Sequence, residues 1–242
     1  MRWDPWQYDR YAGERGRPFF ELTARIGADA PAVVVDLGCG AGALTETLAQ
    51  RWPRALVRGI DPSPEMIGQA GRRRAAEFSV GSAEQFSAVG VDVLVSNAAL
   101  QWVPTHRELI GRWATELNPG GWLAFQVPAN FGAPSHMLMR ELAESPQWGA
   151  RLAGVLRGPD STASPEEYLE LLSAAEMEVD AWRTEYLHVL QGEDPVLEWV
   201  RGTGLRPVLA ALSPPEAEAF TGQYAAALRA AYPRRAYGTP FA

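Results

Sequence analysis

The sequence predicts an α/β fold built on a doubly wound, mostly parallel sheet. Segments with strand patterns alternate with segments with helix patterns over residues 33–127, an order typical of parallel sheets with helices on both faces. Residues 91–96 are almost continuously apolar, as expected of a strand buried on both faces. Ligands of such sheets bind at the carboxyl ends of the strands, so the residues at those ends are the candidate functional residues.

Each element is predicted from its own local pattern. Ser63 before a proline is a typical helix N-cap, and two capping boxes, Ser164-x-x-Glu167 and Ser213-x-x-Glu216, indicate further helix starts. The predicted strands span residues 33–37, 56–60, 78–81, 91–96, 122–127 and 179–190. The predicted helices span residues 19–26, 43–51, 64–77, 106–117, 136–145, 164–175 and 214–232.

These elements are predicted to form one globular unit with four parts. Residues 1–18, rich in aromatic residues and arginines, are expected to be an N-terminal lid over the sheet, or else an amphipathic surface helix. Residues 19–130 form the cofactor-binding core and residues 131–176 a helical cap insertion. Residues 177–242 supply a strand of the core sheet followed by C-terminal helices that complete the cap.

The composition excludes several classes of protein. Hydrophobic residues make up 47% of the 242 residues, which indicates a folded globule with a full core. A net charge of -7 disfavours nucleic acid as the main partner, so a small molecule is expected. The single cysteine excludes an internal disulfide framework. No apolar run approaches the ~20 residues of a membrane span and no signal-peptide pattern opens the chain, so a cytoplasmic location without membrane association is predicted.

A glycine-rich loop follows the first predicted strand. Asp36 ends the strand, and Gly38, Gly40 and Gly42 alternate before a helix that starts at Ala43. Glycine is needed where a turn requires positive φ or where a ligand approaches the backbone. The spacing satisfies the permissive dinucleotide fingerprint, but Asp36 would repel a pyrophosphate and attract a cationic or hydroxyl-rich ligand. A tight turn without a ligand is the third interpretation.

The pattern Asp36-x-Gly38-x-Gly40-x-Gly42 resembles motif I of the class I S-adenosylmethionine-dependent methyltransferases, whose sheet is Rossmann-like. The resemblance implies that the loop lies beneath the methionine and ribose portions of the cofactor, with the acidic residue close to its amino end. Members of this family normally end in an antiparallel strand, but no apolar β run follows residue 232. We therefore predict that the final strand is missing, which would leave an unpaired sheet edge.

Other candidate cofactor residues follow the later strands. Asp61 lies 25 residues after Asp36, where a carboxylate can accept hydrogen bonds from ribose hydroxyls in nicotinamide enzymes and methyltransferases alike. The family resemblance implies an acidic contact to adenine after the third strand, where this sequence has Ser82 and, two residues on, Glu84. Three further candidates, which offer polar contacts and a flat wall, follow the fourth strand: Asn97, Gln101 and Trp102.

Six motifs, which together cover nearly the whole chain, narrow the resemblance. They are Trp3-Asp4-Pro5-x-x-Tyr8, Arg15-x-Arg17-Pro18, Asn97-Ala98-Ala99-Leu100-Gln101-Trp102, Pro134-Ser135-His136, Trp182-Arg183-Thr184-x-Tyr186-x-His188 and Gly204-Leu205-Arg206-Pro207. Together they resemble the trans-aconitate methyltransferase family. The resemblance implies methyl transfer from S-adenosylmethionine to a carboxylate oxygen of trans-aconitate, which yields the monomethyl ester and S-adenosylhomocysteine.

A small polycarboxylate substrate needs cationic or hydroxyl partners, because unpaired carboxylates are costly to bury. Arginine binds a carboxylate with a bidentate fork, and Arg183 lies among apolar residues on its predicted strand. Structural roles are the alternatives: internal acidic partners for the arginines, and helix capping or core packing for the histidines. The predicted substrate residues are Arg15, Arg17, His136, Arg183, Tyr186 and Arg206.

The predicted chemistry is positioning, so no catalytic acid or base is assigned. A carboxylic acid has an unperturbed pKa of about 4 and is already ionised at neutral pH. No metal site is expected, because the three histidines, His106, His136 and His188, lack ligand-like spacing. Three alternatives stay open: a methyltransferase for another small acid or a malonyl thioester, a non-catalytic S-adenosylmethionine-binding protein, and a nicotinamide oxidoreductase, which Asp36 disfavours.

Overall fold

The structure is a computed structural model that describes residues 12–242, so the part of the predicted lid over residues 1–11 lies outside the described residues. The helices are α1 (Ala12–Ala24), α2 (Ala43–Arg51), α3 (Pro64–Ala70), α4 (His106–Glu116), α5 (Pro134–Glu144), α6 (Gly149–Leu152), α7 (Pro165–Ala174), α8 (Pro195–Arg201), α9 (Arg206–Ala211) and α10 (Pro214–Ala231). The strands are β1 (Val33–Leu37), β2 (Leu56–Asp61), β3 (Glu77–Val80), β4 (Val93–Asn97), β5 (Trp122–Gln126), β6 (His188–Leu190) and β7 (Thr239–Phe241). Short 3-10 helices span Leu100–Trp102 and Pro159–Ser161.

Five strands form one parallel sheet in the order β3-β2-β1-β4-β5. β1 pairs with β2 on one side and with β4 on the other, so Asp36 lies opposite both Gly59 and Val95. The strand order reverses between β1 and β4, which opens a crevice at their carboxyl ends. The predicted doubly wound sheet is confirmed, and the ends of its five strands lie within two residues of the predicted ends.

Alternate residues of the central strands face opposite helical layers. Val34, Val93 and Val95 pack in a core with residues of α1 and α2. Val35 and Leu94 point the other way and pack in a core with residues of α4 and α7. Successive strand residues point to opposite faces of the sheet, and helices cover both faces. Both sets of side chains are therefore buried, which explains the nearly continuous apolar run at the centre of the sheet.

A third hydrophobic core lies outside the sheet, within the cap. It joins α5, α6, α8, α9 and α10, and its centre includes the edge-to-face pair of Trp148 and Phe220, whose ring centres are 5.5 Å apart. Leu190 of β6 and Phe241 of β7 are buried in the same core. The cap therefore has an apolar interior of its own and covers the carboxyl ends of the sheet as a separate layer.

One prediction about the chain after residue 176 is wrong. Of the strand predicted over residues 179–190, only β6 forms, and it pairs antiparallel with β7 instead of joining the core sheet. Residues 181–185 are exposed, so their alternating pattern does not mark one buried strand face. β7 is three residues long with a proline at its centre and belongs to this separate two-stranded sheet, so among the described residues no strand pairs with the outer edge of β5 in the core sheet.

The helices also differ from their predictions in detail. Both predicted capping boxes are present, at the starts of α7 and α10. The helix predicted over residues 64–77 ends at Ala70, and Arg73 instead donates to the carbonyl of Ala41 at 2.9 Å and pairs with Glu46 of α2. Helix α1 starts at Ala12, upstream of its predicted start, and α8 and α9 are not predicted because short helices bounded by glycine and proline resemble turns.

Candidate active site

A cavity of about 1800 Å³ lies at the carboxyl ends of the sheet strands, between the sheet and the cap. It exceeds the ~300–1,000 Å³ of common ligand pockets, so it has room for a cofactor together with a second small molecule. All nine predicted cofactor residues line it: Asp36, Gly38, Gly40, Asp61, Ser82, Glu84, Asn97, Gln101 and Trp102.

The glycine loop brings its backbone close to the ends of two neighbouring strands. Gly38 has a φ of +84°, and a Cβ added there would lie 2.2 Å from the Cβ of Ala99. Its N–H donates to the Ile60 carbonyl at 2.7 Å, and the Gly40 N–H donates to Oδ2 of Asp61 at 3.0 Å. Gly40 also has a positive φ, of +55°, but a Cβ there would meet nothing within 4 Å. Gly38 thus packs directly against Ala99, whereas the space beside Gly40 is open and can accept a ligand.

Asp36 is a buried carboxylate at the cavity floor. Its side chain is 3% exposed, and its Oδ2 accepts a hydrogen bond from the Thr45 hydroxyl at 2.6 Å. Burial raises its pKa to about 6, the nearby Asp61 charge adds to the increase, and the Thr45 hydrogen bond opposes it. A cationic group in the cavity would therefore stabilise the ionised form of Asp36.

Asp61 joins the glycine loop to the start of α3. Its Oδ2 accepts from Gly40, its Oδ1 accepts from the Ser63 N–H at 2.9 Å, and burial raises its pKa. A carboxylate offers about four acceptor positions, so these two bonds leave room for two more. The geometry fits the predicted contact to a pair of ribose hydroxyls while fixing the carboxylate in place.

Two amide side chains at the end of β4 place unsatisfied oxygens in the site. Oδ1 of Asn97 and Oε1 of Gln101 are buried without a hydrogen-bond partner among the described residues. The intervening Ala98 has a φ of +52°, and its carbonyl accepts from Nε2 of Gln101 at 2.6 Å. A buried acceptor left unpaired is costly, so both oxygens indicate a ligand that carries hydrogen-bond donors.

The residues predicted near adenine lie on one rim of the cavity. Ser82 and Glu84 both line it after β3, with Ser82 half-buried and Glu84 exposed. Either side chain can accept from an exocyclic amino group, so the adenine contact stays a prediction shared by the two.

His136 is the predicted substrate residue that the structure places most clearly in the cavity. It lies in the first turn of α5, and a Cβ on Gly204 would come within 3.3 Å of its Nε2. Burial lowers its pKa to about 4, and the positive charges of Arg140 and Arg157 lower it further in the same direction. His136 is therefore neutral at pH 7, with one ring nitrogen able to donate and the other to accept.

Two other predicted substrate residues, Arg17 and Tyr186, contact each other at the surface. The Arg17 guanidinium lies 4.7 Å from the ring centre of Tyr186, whose hydroxyl donates to Glu21 at 2.6 Å. Burial and the Glu21 carboxylate raise the pKa of Tyr186 to about 12. Both side chains thus have protein partners without a substrate, although Tyr186 also lines the cavity.

A second set of contacts lies beside this pair. Arg25 pairs with Asp180 at 2.7 Å, and its guanidinium lies 4.2 Å from the ring centre of Trp182. Together the two sets tie the extended chain before β6 to α1. We call them the α1 latch, defined as Arg17, Glu21, Arg25, Asp180, Trp182 and Tyr186.

The remaining predicted arginines are not brought together. Arg183 is exposed on the cavity rim, and Arg206 is the first residue of α9, where Gly204 and Pro207 line the cavity. The side chain of Arg15 lies outside the described residues. Among the predicted arginines whose side chains are described, Arg183 lines the cavity, whereas Arg17 and Arg206 do not.

Comparison with known proteins identifies the family. Residues 8–181 match the family described as "Methyltransferase domain". The chain belongs to this methyltransferase family. Curated relatives named trans-aconitate 2-methyltransferase are 53% identical in Streptomyces coelicolor, 50% in Streptomyces avermitilis and 49% in Rhodococcus jostii. Each comparison covers 99% of this chain and, in that order, 83%, 93% and 94% of the relative. The resemblance inferred from the sequence motifs is thus confirmed.

A solved structure shares the fold of this methyltransferase. It comes from the complex between the Haloferax volcanii Trm112 methyltransferase activator and a methyltransferase, with a TM-score of 0.51 and 20% identity. The match covers 87% of this chain and 93% of that chain. At this level of identity the comparison supports the fold alone.

Three residues of the methyltransferase site escape sequence reasoning: Thr45, Arg140 and Arg157. Thr45 could have been found, because a hydroxyl in the first turn after a glycine loop lies close to the preceding strand end. Arg157 could not, since its guanidinium lies 3.4 Å from the ring centre of Trp102 and donates to the Gln101 carbonyl, both more than fifty residues away in the chain.

Two other kinds of feature are absent from residues 12–242 of the methyltransferase. In that range no helix is long and apolar enough to cross a membrane. The same residues contain no group of three or more His, Cys, Asp or Glu side chains arranged to hold a metal ion.

Proposed function

We propose that this methyltransferase converts trans-aconitate to its monomethyl ester with S-adenosylmethionine as the methyl donor. The observation that carries the proposal is the 49–53% identity, over 99% of the chain, to three curated relatives named trans-aconitate 2-methyltransferase. The cavity supports it independently, because acidic side chains line its floor at the strand ends and cationic ones line its cap side.

The residues at the strand ends fit S-adenosylmethionine. The space beside the Gly40 backbone is open, and the buried side-chain oxygens of Asn97 and Gln101 can accept hydrogen bonds from the cofactor. In the proposed complex Asp36 faces the positively charged methionyl part, and Asp61 accepts from the ribose hydroxyls. When bound, the cofactor supplies an electrophilic methyl group on a sulfonium centre.

The protein's own contribution is to position the acid. A substrate carboxylate is ionised at neutral pH, so no residue has to remove a proton before the oxygen attacks. Correct alignment of bound reactants can supply roughly 7 to 11 kcal/mol of the barrier. His136, neutral and facing the cavity, is proposed to hydrogen-bond the substrate and hold one oxygen in line.

The other predicted substrate residues stay predictions. Arg17 and Tyr186 belong to the α1 latch, Arg183 lies on the exposed rim and Arg206 starts α9. The expected cytoplasmic location and the expected absence of nucleic-acid partners likewise stay predictions.

The decisive experiment measures methyl transfer from labelled S-adenosylmethionine to a panel of acids. The panel contains trans-aconitate, cis-aconitate, isocitrate and a malonyl thioester. We expect preferential labelling of trans-aconitate, with the label in a base-labile ester and an equal amount of S-adenosylhomocysteine released.

Other outcomes would contradict the proposal in different ways. Preferential labelling of the malonyl thioester would replace the substrate but keep the reaction class. Tight S-adenosylhomocysteine binding without labelling of any acid would favour a non-catalytic binding protein.

A further inference from the structure

The cap side of the cavity contains two guanidinium groups that no sequence motif singled out. Arg140 projects from α5, and Arg157 lies in the chain between α6 and α7. Both groups converge on Phe131: Arg140 donates to its carbonyl at 2.7 Å, and Arg157 lies 5.9 Å from its ring centre. We call Arg140, Arg157 and His136, whose ring centre is 5.9 Å from that of Phe131, the cationic wall.

Arg157 is held rigidly by the protein. Its guanidinium stacks 3.4 Å from the ring centre of Trp102 and donates one hydrogen bond to the Gln101 carbonyl. A guanidinium has five donor hydrogens, so one such bond leaves most of its fork unused. Stacking fixes the plane of the group while leaving its edge available, which is the edge that binds a carboxylate in bidentate fashion.

The positive charge of the cationic wall lacks a counter-ion in the described protein. Among the side chains that the structure describes, no Asp or Glu carboxylate lies within 4.0 Å of the Arg140 or Arg157 guanidinium. The arginines of the α1 latch, by contrast, have acidic neighbours. Half-buried arginines are usually paired, so two unpaired ones facing a cavity indicate an anionic ligand.

The charge of the two arginines also affects the pKa of a neighbouring residue. The positive charges of Arg140 and Arg157 act with burial to lower the pKa of His136, and burial lowers the pKa of Arg157 to about 10. Arg157 is nevertheless protonated at neutral pH, so the wall presents two positive charges and one neutral hydrogen-bonding ring to the cavity.

We propose that Arg157, assisted by Arg140, is the specificity-determining anchor for a carboxylate of the substrate that does not react. This inference rests on the proposed function and adds to it the residues that hold a carboxylate other than the one methylated. Arg157 rests on Trp102 and Gln101, which are themselves proposed to contact the cofactor. An acid anchored by Arg157 is thereby held at a fixed place relative to the methyl donor, which selects the carboxylate that reacts.

The first test replaces Arg157 by Gln, which removes the charge and fork while keeping a polar side chain. Arg151→Gln is the matched control, because Arg151 lies six residues before Arg157, its side chain is 58% exposed and it pairs with Glu216 at 2.5 Å. We expect Arg157→Gln to weaken trans-aconitate binding about tenfold or more, as for loss of a charged hydrogen bond, and the control to change it less than about twofold. Calorimetry on the S-adenosylhomocysteine complex measures binding, and KM is determined in parallel.

The second test varies the substrate instead of the protein. The three dicarboxylates that each lack one carboxylate of trans-aconitate are compared as ligands of the wild type and of Arg157→Gln. The penalty of the substitution should disappear for the dicarboxylate that lacks the anchored group and persist for the other two. A merely structural role of Arg157 would give the same penalty for all three.

Each result separates this inference from the proposed function. If the wild type methylates trans-aconitate and Arg157→Gln binds it equally well, the anchor is wrong and the function stands. If no acid is methylated but the wild type binds the tricarboxylate through Arg157, the function is wrong and the anchor stands. If Arg157→Gln is unstable to heat, Arg157→Lys and Arg140→Gln replace it; normal tricarboxylate binding by both would overturn the proposal.

Discussion

The two sides of the cavity are built in opposite ways. The side at the strand ends uses backbone N–H groups, two carboxylates and two buried amide oxygens, all of which lie at the carboxyl ends of the sheet strands or in the loops that follow them. The cationic wall uses side chains from α5 and from the α6–α7 connection, which share no motif. The first side is fixed by parallel β geometry, and the second is fixed only by how the cap packs. The proposed cofactor site and the proposed substrate site thus belong to different layers of the fold.

The largest expected effect is at the strand-end side, from Gly38→Ala. A Cβ there would lie 2.2 Å from the Cβ of Ala99, at a φ of +84° that costs about 1–3 kcal/mol for a residue with a side chain. We expect S-adenosylhomocysteine affinity to fall about a hundredfold, together with a lower midpoint in urea. Gly90→Ala is the control, because Gly90 has a φ of +79°, does not line the cavity and would place a Cβ with nothing within 4 Å; equal losses from both variants would mean that the Ala99 contact does not matter.

The next effect is expected from Asp36→Asn. Removing a carboxylate that faces a cationic ligand group should weaken S-adenosylhomocysteine binding about ten- to a hundredfold at pH 8. Because Asp36 has a pKa of about 6, wild-type affinity should rise as the pH increases through 6, and that of the variant should not. Calorimetry at pH 5 and pH 8 measures both, and unchanged affinity of the variant at pH 8 would exclude this role.

The same substitution also tests the stability of the ligand-free protein. Here the expected effect of pH is opposite: the wild type gains cofactor affinity but loses stability as the pH rises through 6. The pKa of Asp36 is raised from 3.8 to about 6 by folding, so the proton is held more tightly in the folded state. Its contribution to stability is complete below pH 4 and is lost as the pH rises through 6, at about 1.4 kcal/mol per pKa unit or about 3 kcal/mol in total. Relative to the wild type, Asp36→Asn should gain stability between pH 4 and pH 7, measured by urea unfolding. A constant difference between the two proteins would contradict this assignment.

A smaller effect is expected on the cap side from Gly204→Ala. The added Cβ would lie 3.3 Å from Nε2 of His136, and this tight contact would displace the imidazole ring by a few tenths of an ångström. We expect KM for trans-aconitate to rise about two- to fivefold while S-adenosylhomocysteine affinity stays unchanged. A loss of cofactor affinity instead would mean that the two sides of the cavity are not independent.

The smallest effect is expected from Tyr186→Phe in the α1 latch. The variant removes the 2.6 Å hydrogen bond to Glu21, which is exposed, so about 0.5–1 kcal/mol of stability should be lost. KM should change less than about twofold because the hydroxyl already has a protein partner. Steady-state kinetics decide between this expectation and the sequence-based one, since a tenfold higher KM would mean that Tyr186 binds the substrate.

Local sequence patterns were sufficient for the strand-end side. Asp36, Gly38 and Gly40 lie within five residues of one strand-loop-helix unit. Asp61 ends the neighbouring parallel strand, so the alternation of strands and helices alone brings these residues together. The alternation also sufficed for the five-stranded sheet. It did not suffice for residues 179–187, where the period of two is real but the segment runs along the surface and is held by side-chain contacts to α1.

The sequence by itself therefore determined the sheet, the glycine loop and the family, because each depends on residues close together in the chain or on the regular order of elements. Only the tertiary structure decided which cations face the cavity. The apolar neighbours of Arg183 in the sequence predicted a carboxylate partner, internal or from the substrate, yet its side chain is exposed on the cavity rim. Arg157 belongs to no motif but stacks on Trp102 inside the cavity. Contacts between distant segments depend on how helices pack across the sheet, and a packing arrangement leaves no short pattern in the chain.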